Sequence, residues 1–465
     1  MSYHLAPVDA VILAAYLLGL LYAGALLRRP AEERREQFLL GGRRLTLVPF
    51  IATLVSTWYG GILGVGEFTY RYGLINLVVF GLPYYLFAFL YAIYLAPKIR
   101  SGSDLTIPDR LRRRFGPQTA LFGALLVFLL ATPAPYLLML AVLINLVFGL
   151  PLGLGLILGA MLSTAYLWRS GFAGVVRTDL LQVALMFAGF GALVFLLAAE
   201  VSPLAMWQAL PDGHRSPLGA DSMSWQVILV WFLIASWTFV DPGFYQRSAA
   251  ASDPATARRG ILISIGLWFV FDLLTTTAGL YAVLHLPALG QTVAAYPALA
   301  ELVLPAGLKG LFLVTLLAVI MSTIDSYTFI GGTTLGRDVW PAGAAKLSER
   351  GRIRWGMALA VALGVLLAWG LPSVVELWFT IGTLLVPGIL VPVLLTFSDR
   401  WQLADRQALL VGGAGLATSA LWYFIPRFAG GAAQGAYIWG LEPMLPGLLV
   451  SVLLAALWVR RPAED

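Results

Sequence analysis

Four oxygen-bearing side chains fall within five consecutive positions of the stretch VIMSTIDSYTFIGG, residues 319–332: Ser322, Thr323, Asp325 and Ser326. On a helix Ser322, Asp325 and Ser326 stand at i, i+3 and i+4 and share one face, while Thr323 lies over the carbonyl of Val319. Hydroxyls, a carboxylate and a carbonyl, with no nitrogen or sulfur among them, are the donors that a hard, redox-inert cation takes. Taken singly, Ser322 or Thr323 reads as a packing group that bonds back to the preceding turn. The aspartate is different. A carboxylate at the centre of an apolar helix costs roughly 2.5–3.5 kcal/mol on insertion scales, so it needs a cation or a proton. A second embedded acid, Asp179 in VVRTDLLQVALM, lies behind Arg177 near the start of another apolar run. It reads either as a helix-start carboxylate favoured by the dipole, by about 0.3–1 kcal/mol, or as a further cation ligand. Asp272, Asn145 and Glu376 are also embedded and read as packing or pathway groups.

The elements that position these groups belong in a bilayer. Of 465 residues, 60% are hydrophobic and only 12% charged, and the mean hydropathy is +0.84; soluble domains carry about a quarter charged residues. Apolar runs long enough to span a bilayer core recur along the chain, and in that solvent they satisfy their backbone only as helices. The expected fold is an all-α polytopic membrane protein forming a single transmembrane domain, 1–465. Thirteen transmembrane helices are expected near 8–28, 46–70, 74–97, 119–148, 151–168, 172–198, 224–246, 260–284, 307–336, 355–371, 374–397, 407–425 and 442–459. The opening MSYHLAPVDA has no basic leader, so the first run reads as an anchor and not as a cleavable signal.

Charge sets the orientation. Loops 28–44, 98–114, 169–177, 247–259, 337–354, 400–406 and 460–461 hold 26 of the 30 Lys and Arg, leaving Arg71, Arg215, Lys309 and Arg427 for the other side. That bias predicts an N-terminus outside and a C-terminus in the cytoplasm. The net charge of +6 is then a topology signal with attraction to anionic lipid, not a nucleic-acid footprint. Cysteine is absent, which excludes disulfides, thiol nucleophiles and thiolate metal sites. His4, His214 and His285 are scattered and form no ligand cluster. GLGLILG at 153–159 has the wrong spacing and no strand for a dinucleotide loop, and there is no P-loop.

Two spans look interrupted. STWYGGILGVGEFTYRYG places Gly60, Gly61, Gly64 and Gly66 in mid-span and ends in Glu67 and Arg71; SWTFVDPGFYQR places Asp241, Pro242 and Gly243 near the end of its span. Pro and Gly mark unwinding, although Gly60-xxx-Gly64 also suits close helix packing. One interruption opens the five-helix block 46–198 and the other opens the five-helix block 224–397. An odd block length inverts the second block, and broken helices at matching positions of inverted halves point to a binding site near the midplane.

With these residues in hand, the chain resembles the sodium:solute symporters, the family of bacterial proline, sugar, pantothenate and sialic-acid symporters. The resemblance spans about residues 38–400 through FLLGGRRLTLVPFIATLVSTWYGG, LTIPDRLRRRFG, RTDLLQ, DPGFYQRSAAASDPATARRG and MSTIDSYTFIGGTTLGRDVW. It implies a leucine-transporter-type fold: a leading helix (8–28), inverted repeats 46–198 and 224–397, and two trailing helices (407–459). It implies a sodium site of the Ala52, Val55 and Val319 carbonyls at the first helix break with the Ser322 and Thr323 hydroxyls. A second sodium, as in some members, would involve Asp179, Ser322, Asp325 and Ser326; sialic-acid symporters have serine where Asp325 stands. The substrate pocket would lie by Leu54, Ser56, Thr57, Trp58 and Tyr59, facing Ser236 and Trp237. Proline symporters match Trp58 but carry an acid at the Leu54 position, and the arginine of sialic-acid symporters is missing from 119–148. The implied activity is import of a small neutral or zwitterionic solute, a sugar or amino acid, coupled to one or two sodium ions by alternating access. The setting would be the cell inner (plasma) membrane, with the monomer as the working unit and no enzymatic step. The competing readings are a proton-coupled symporter of the same fold and a cation channel or sensor.

Overall fold

Peptide groups in hydrocarbon find partners only within their own helix, and helices dominate the computed structural model. It describes residues 3–26, 35–218, 223–340, 347–428 and 437–460; among these there is no strand, only two isolated bridge pairs. The chain opens with α1 (Pro7–Leu26). An interrupted span follows, α2 (Leu47–Trp58) and α3 (Ile62–Tyr72), and then α4 (Leu82–Tyr94), α5 (Pro117–Leu130) and α6 (Ala134–Phe148). α7 (Leu152–Glu200) bends sharply at Gly171, whose φ of 60° suits a residue without a Cβ. A second interrupted span comprises α8 (Trp225–Ile234) and α9 (Pro242–Ala250). Beyond it run α10 (Pro254–His285), α11 (Ala295–Val303), α12 (Leu308–Thr333), α13 (Glu349–Gly370) and α14 (Val374–Leu395). α15 (Asp405–Phe428) and α16 (Met444–Trp458) close the chain.

Every expected span meets a helix, but the described residues hold ten that are long and apolar enough to cross a membrane. The first, fifth and last expected spans meet the shorter apolar helices Pro7–Tyr22, Leu152–Thr164 and Met444–Trp458. A fourth short apolar helix, Thr292–Val303, occupies a stretch expected to be loop. Of the loop charges counted from sequence, Arg28, Arg29, Arg34, Lys346 and Arg461 lie outside the described residues.

α12 is the axis of the molecule. From Phe312 to Thr333 every residue except Leu317 is buried, so its polar positions face other helices and avoid the cost of lipid exposure. It packs against α7, α2, α13 and α1. Glycine permits the closest of these approaches: a Cβ on Gly60 would fall 2.0 Å from Thr323 Oγ1. Gly61 and Gly64 lie under the Trp378 ring in the same way, at 2.1 and 2.8 Å. The glycines of the first interrupted span therefore serve packing, and the irregularity itself is a single tight turn at Tyr59–Gly61.

The ends of the two interrupted spans are tied together. Leu45 N–H donates to Ala250 O at 3.0 Å and Ser252 N–H donates to Leu45 O at 2.9 Å. Nearby arginines bridge elements at the same end. Arg337 pairs with Asp109 at 2.6 Å, and Arg110 donates to Thr396 Oγ1 at 2.9 Å. Just outside α10, the Asp253 carboxylate accepts from Thr256 N–H at 2.8 Å. Hydrogen bonds from Thr256 and Ser252 hold that exposed acid down at about 2, below the usual carboxylate range.

Candidate functional site

Two groups of side chains meet where the interrupted spans cross α12. The first is an oxygen cluster between α2, α7 and α12. Asp179, two turns beyond the bend of α7, is fully buried; its carboxylate accepts from Ser322 Oγ at 2.6 Å and from Thr53 Oγ1. It is thus a tertiary contact and not a helix-start group. Ser322 Oγ also lies 3.0 Å from Ser56 Oγ, and Thr323 Oγ1 donates to the Thr57 carbonyl at 2.6 Å. The Val319 carbonyl is 3.4 Å from Thr323 Oγ1, one turn back along α12. Thr57 Oγ1 and Ser326 Oγ are 3.1 Å apart.

Ala52 and Val55 need a correction. They do not sit at the break; they belong to the regular helix α2, which runs unbroken to Trp58. Their carbonyls are therefore intrahelical acceptors, each retaining one further lone pair. Asp325 is fully buried on α12, but the bonds joining Asp179 to Ser322 do not run through it. The chemistry of the set, six hydroxyls and several carbonyls, suits a hard monovalent cation beside Ser322 and Thr323.

The cluster also contains a group that charge counting misplaced. Arg247, assigned to a loop from its sequence, is on α9 and has no exposed surface. Its Nη2 donates to Thr57 Oγ1, Ser326 Oγ and Thr53 Oγ1 at 2.6, 2.9 and 3.0 Å and lies 3.9 Å from Asp179 Oδ2. Nη1 donates to the Gly243 carbonyl at 3.3 Å. The guanidinium thus stands among the oxygens assigned from sequence to a second sodium. Helix α9 puts it there: Asp241 caps the helix by accepting from Phe244 N–H at 2.8 Å, and Pro242 starts it.

The second group is a cavity between the two breaks, walled by Trp58, Tyr84, Tyr136, Trp237, Tyr327 and Trp378 among others. Of the residues expected there, Trp58, Tyr59 and Trp237 line it. Ser56 and Thr57 do not; they face the oxygen cluster. Ser236 is buried away from the cavity wall. Two acids also stand on that wall: Asp241, placed from sequence at the second interruption, and Asp272, read from sequence as a packing or pathway group. Asp241 accepts from Tyr327 Oη at 2.8 Å, and Asp272 accepts from Tyr85 Oη. Asn145 donates to the Leu150 carbonyl at 2.7 Å and so closes its own helix end. Glu376 lies in the first turn of α14, capped by Ser373.

Comparison with known proteins places this geometry. The model of the sodium:solute symporter family matches residues 38–397. The sodium/proline symporter of Haemophilus influenzae is 25% identical over 386 residues, covering 76% of this chain and 75% of that protein. The sodium/glucose cotransporter 4 of Mus musculus is 25% identical over 414 residues, covering 79% of this chain. The chain spans about 60% of that mouse protein's length, and 45% of the similar human sodium-coupled monocarboxylate transporter 1. Among solved structures, a substrate-bound, outward-open Na+-coupled sialic acid symporter superposes with a TM-score of 0.79 at 16% identity, over 98% of this chain and 99% of that one. A nucleobase-cation-symport-1 family transporter in a closed conformation gives 0.59 at 11% identity, covering 92% and 94% of the two chains. These likenesses establish a leucine-transporter-type fold, and with the family match they show that this multi-pass membrane protein belongs to the sodium:solute symporter family.

Proposed function

We propose that the protein is a sodium-coupled importer of a small organic solute, with the N-terminus outside and the C-terminus in the cytoplasm of the plasma membrane. The observation that carries this reading is the meeting of both interrupted spans with the hydroxyl row of α12. Sodium is held beside Ser322 and Thr323, with carbonyl oxygens of Val319, Thr57, Ala52 and Val55 within the same packing unit. The solute sits in the cavity between the breaks, against Trp58, Tyr59 and Trp237. Sodium draws α2 and α12 together through Thr323 and the Thr57 carbonyl, which fixes the neighbouring Trp58 wall. Each ligand then raises the other's affinity, as linkage requires. Rocking of one helix group against the other exposes the pair inward, and the monomer carries the whole path.

Geometry favours one sodium per cycle. The oxygens of Thr53, Thr57 and Ser326 beside Asp179 already have a cation in Arg247. A single charge crossing 100 mV contributes about 2.3 kcal/mol, enough for roughly fiftyfold accumulation at about 1.4 kcal/mol per tenfold, before any sodium gradient is added.

The test is thermal unfolding of purified protein titrated with sodium chloride or potassium chloride. The wild type gains stability with sodium and not with potassium, and Ser322→Ala with Thr323→Ala removes the gain. An unchanged sodium response in that double variant would overturn the assignment.

A further inference from the structure

The cavity between the breaks has an unbalanced charge inventory. Asp241 and Asp272 are on its wall, and no Lys, Arg or His is among its lining residues. Neither acid is within ion-pair distance of a described basic side chain, but the two differ. Arg247 stands beside Asp241 across Gly243, where a Cβ would lie 2.9 Å from Asp241 Oδ1 and 3.4 Å from Arg247 Nη1, whereas no described ion pair or basic lining residue serves Asp272. Both carboxylates are held in place by phenols, Asp241 by Tyr327 and Asp272 by Tyr85. Asp241 also accepts from Phe244 N–H at 2.8 Å as the cap of α9; the Tyr85 phenol occupies one position on Asp272, and an ionised carboxylate accepts at about four.

Around these acids the walls are rings. Trp58 meets Tyr84 and Trp268 at centroid distances of 5.0 and 5.2 Å, and Tyr136 meets Tyr327 at 5.5 Å. Their faces carry negative potential, which attracts a cation within about 6 Å of a ring centroid. Ring faces and the Asp272 carboxylate act in the same sense. They favour positive charge and oppose a carboxylate or phosphate, for which the wall offers no basic partner.

We propose that the solute bears a cationic nitrogen, an ammonium or alkylammonium group, seated between Asp272 and Asp241 under the Trp58 and Trp237 rings. The inference rests on the cavity being the transport site and narrows its solute class. A primary or secondary ammonium donates to the Asp272 carboxylate, while methyl or methylene groups on the nitrogen lie against the ring faces. Charge complementarity without a basic residue makes the site select against monocarboxylates and leaves sugars without the ionic contact.

The experiment is a sodium-dependent thermal-shift and competition screen on the purified full chain. Choline and phenethylamine serve as cationic probes. Each is paired with an uncharged carbon isostere, a tert-butyl head replacing the trimethylammonium of choline and a methyl group replacing the amine of phenethylamine. Glucose and lactate serve as neutral and anionic controls. At least one amine is expected to stabilise the protein in sodium at a concentration tenfold or more below its isostere, and Asp272→Asn is expected to erase that preference. Equal response to amine and isostere, a stronger response to glucose or lactate, or no response to either amine overturns the inference. None of these results touches the sodium assignment, which is read separately from the stabilisation by sodium alone and its loss in the Ser322 and Thr323 double variant.

Discussion

The oxygen cluster and the aromatic cavity are neighbours that solve the same problem in opposite ways. Each holds buried aspartate in a span that lipid surrounds. In the cluster, Asp179 faces a guanidinium from the same chain, and Arg247 in turn is shared with three hydroxyls. In the cavity, Asp272 has a phenol and no cation. In one site a buried acid has a cation of the same chain beside it; in the other it does not, and the proposed solute would supply one. On the proposed function, the difference separates a structural cation from transported ones: a tethered arginine cannot leave, whereas the proposed ion beside Ser322 and the proposed solute beside Asp272 would.

The largest expected effect breaks the Arg247 side. Arg247→Ala strands Asp179, and breaking one partner of a buried ionic pair costs about 3–5 kcal/mol; thermal unfolding should show that loss. Adding Asp179→Asn should restore most of it, since a neutral amide needs no cation. If the double variant is no better than the single, the two residues are not a unit. Next in size is Gly60→Ala, which drives a Cβ to within 2.0 Å of Thr323 Oγ1. Overpacking of this kind costs about 1–3 kcal/mol, and the sodium-dependent thermal shift should shrink along with basal stability.

The Asp272 side should respond in the opposite sense. Asp272→Asn removes a desolvated charge whose described partner is a phenol and not a cation, so the ligand-free protein should be as stable as the wild type or more so. A drop in ligand-free unfolding temperature as large as that of Arg247→Ala would erase the contrast between the sites. The smallest effect belongs to Asp253, an aspartate outside the membrane compensated by Thr256 and Ser252. Its carboxyl is held at about 2, below the ordinary 3.8, so its contribution is full above the ordinary value and is lost as the pH falls through about 2. Asp253→Asn, which keeps the cap, should scarcely move the unfolding temperature at neutral pH. Its unfolding curve and that of the wild type should converge as the carboxylate protonates.

The fold was legible because lipid leaves so few options: apolar runs such as 307–336 and 374–397 had to be helices, and α12 and α14 occupy them. Membership was legible from motifs around the two interruptions. Ser322, Thr323 and Asp179 each stood out because buried hydroxyls and acids are costly in such helices, but only the family resemblance joined Asp179 to Ser322. Arg247 was not, because a loop-charge count treats each arginine as solvent-facing. The local signal was nonetheless there: Asp241 and Pro242 are a helix cap and a first-turn residue, so a helix restarting at 242 carries Arg247 one turn beyond Gly243. The roles of Asp272 and Trp378 had no local signal. They face the cavity through the packing of α10 and α14 against the first break, and nothing in their immediate sequence encodes that approach. The family resemblance put Ala52 and Val55 at a break, but the helix stays regular until Trp58. The glycines are spent on contact with Thr323 and Trp378.

A central consequence of the tethered arginine is a stoichiometry that can be measured without knowing the solute. Equilibrium binding of radiolabelled sodium to the purified protein should reach one ion per chain and fall to none in the Ser322→Ala, Thr323→Ala double variant. Two ions per chain, or one that survives in the double variant, would contradict it.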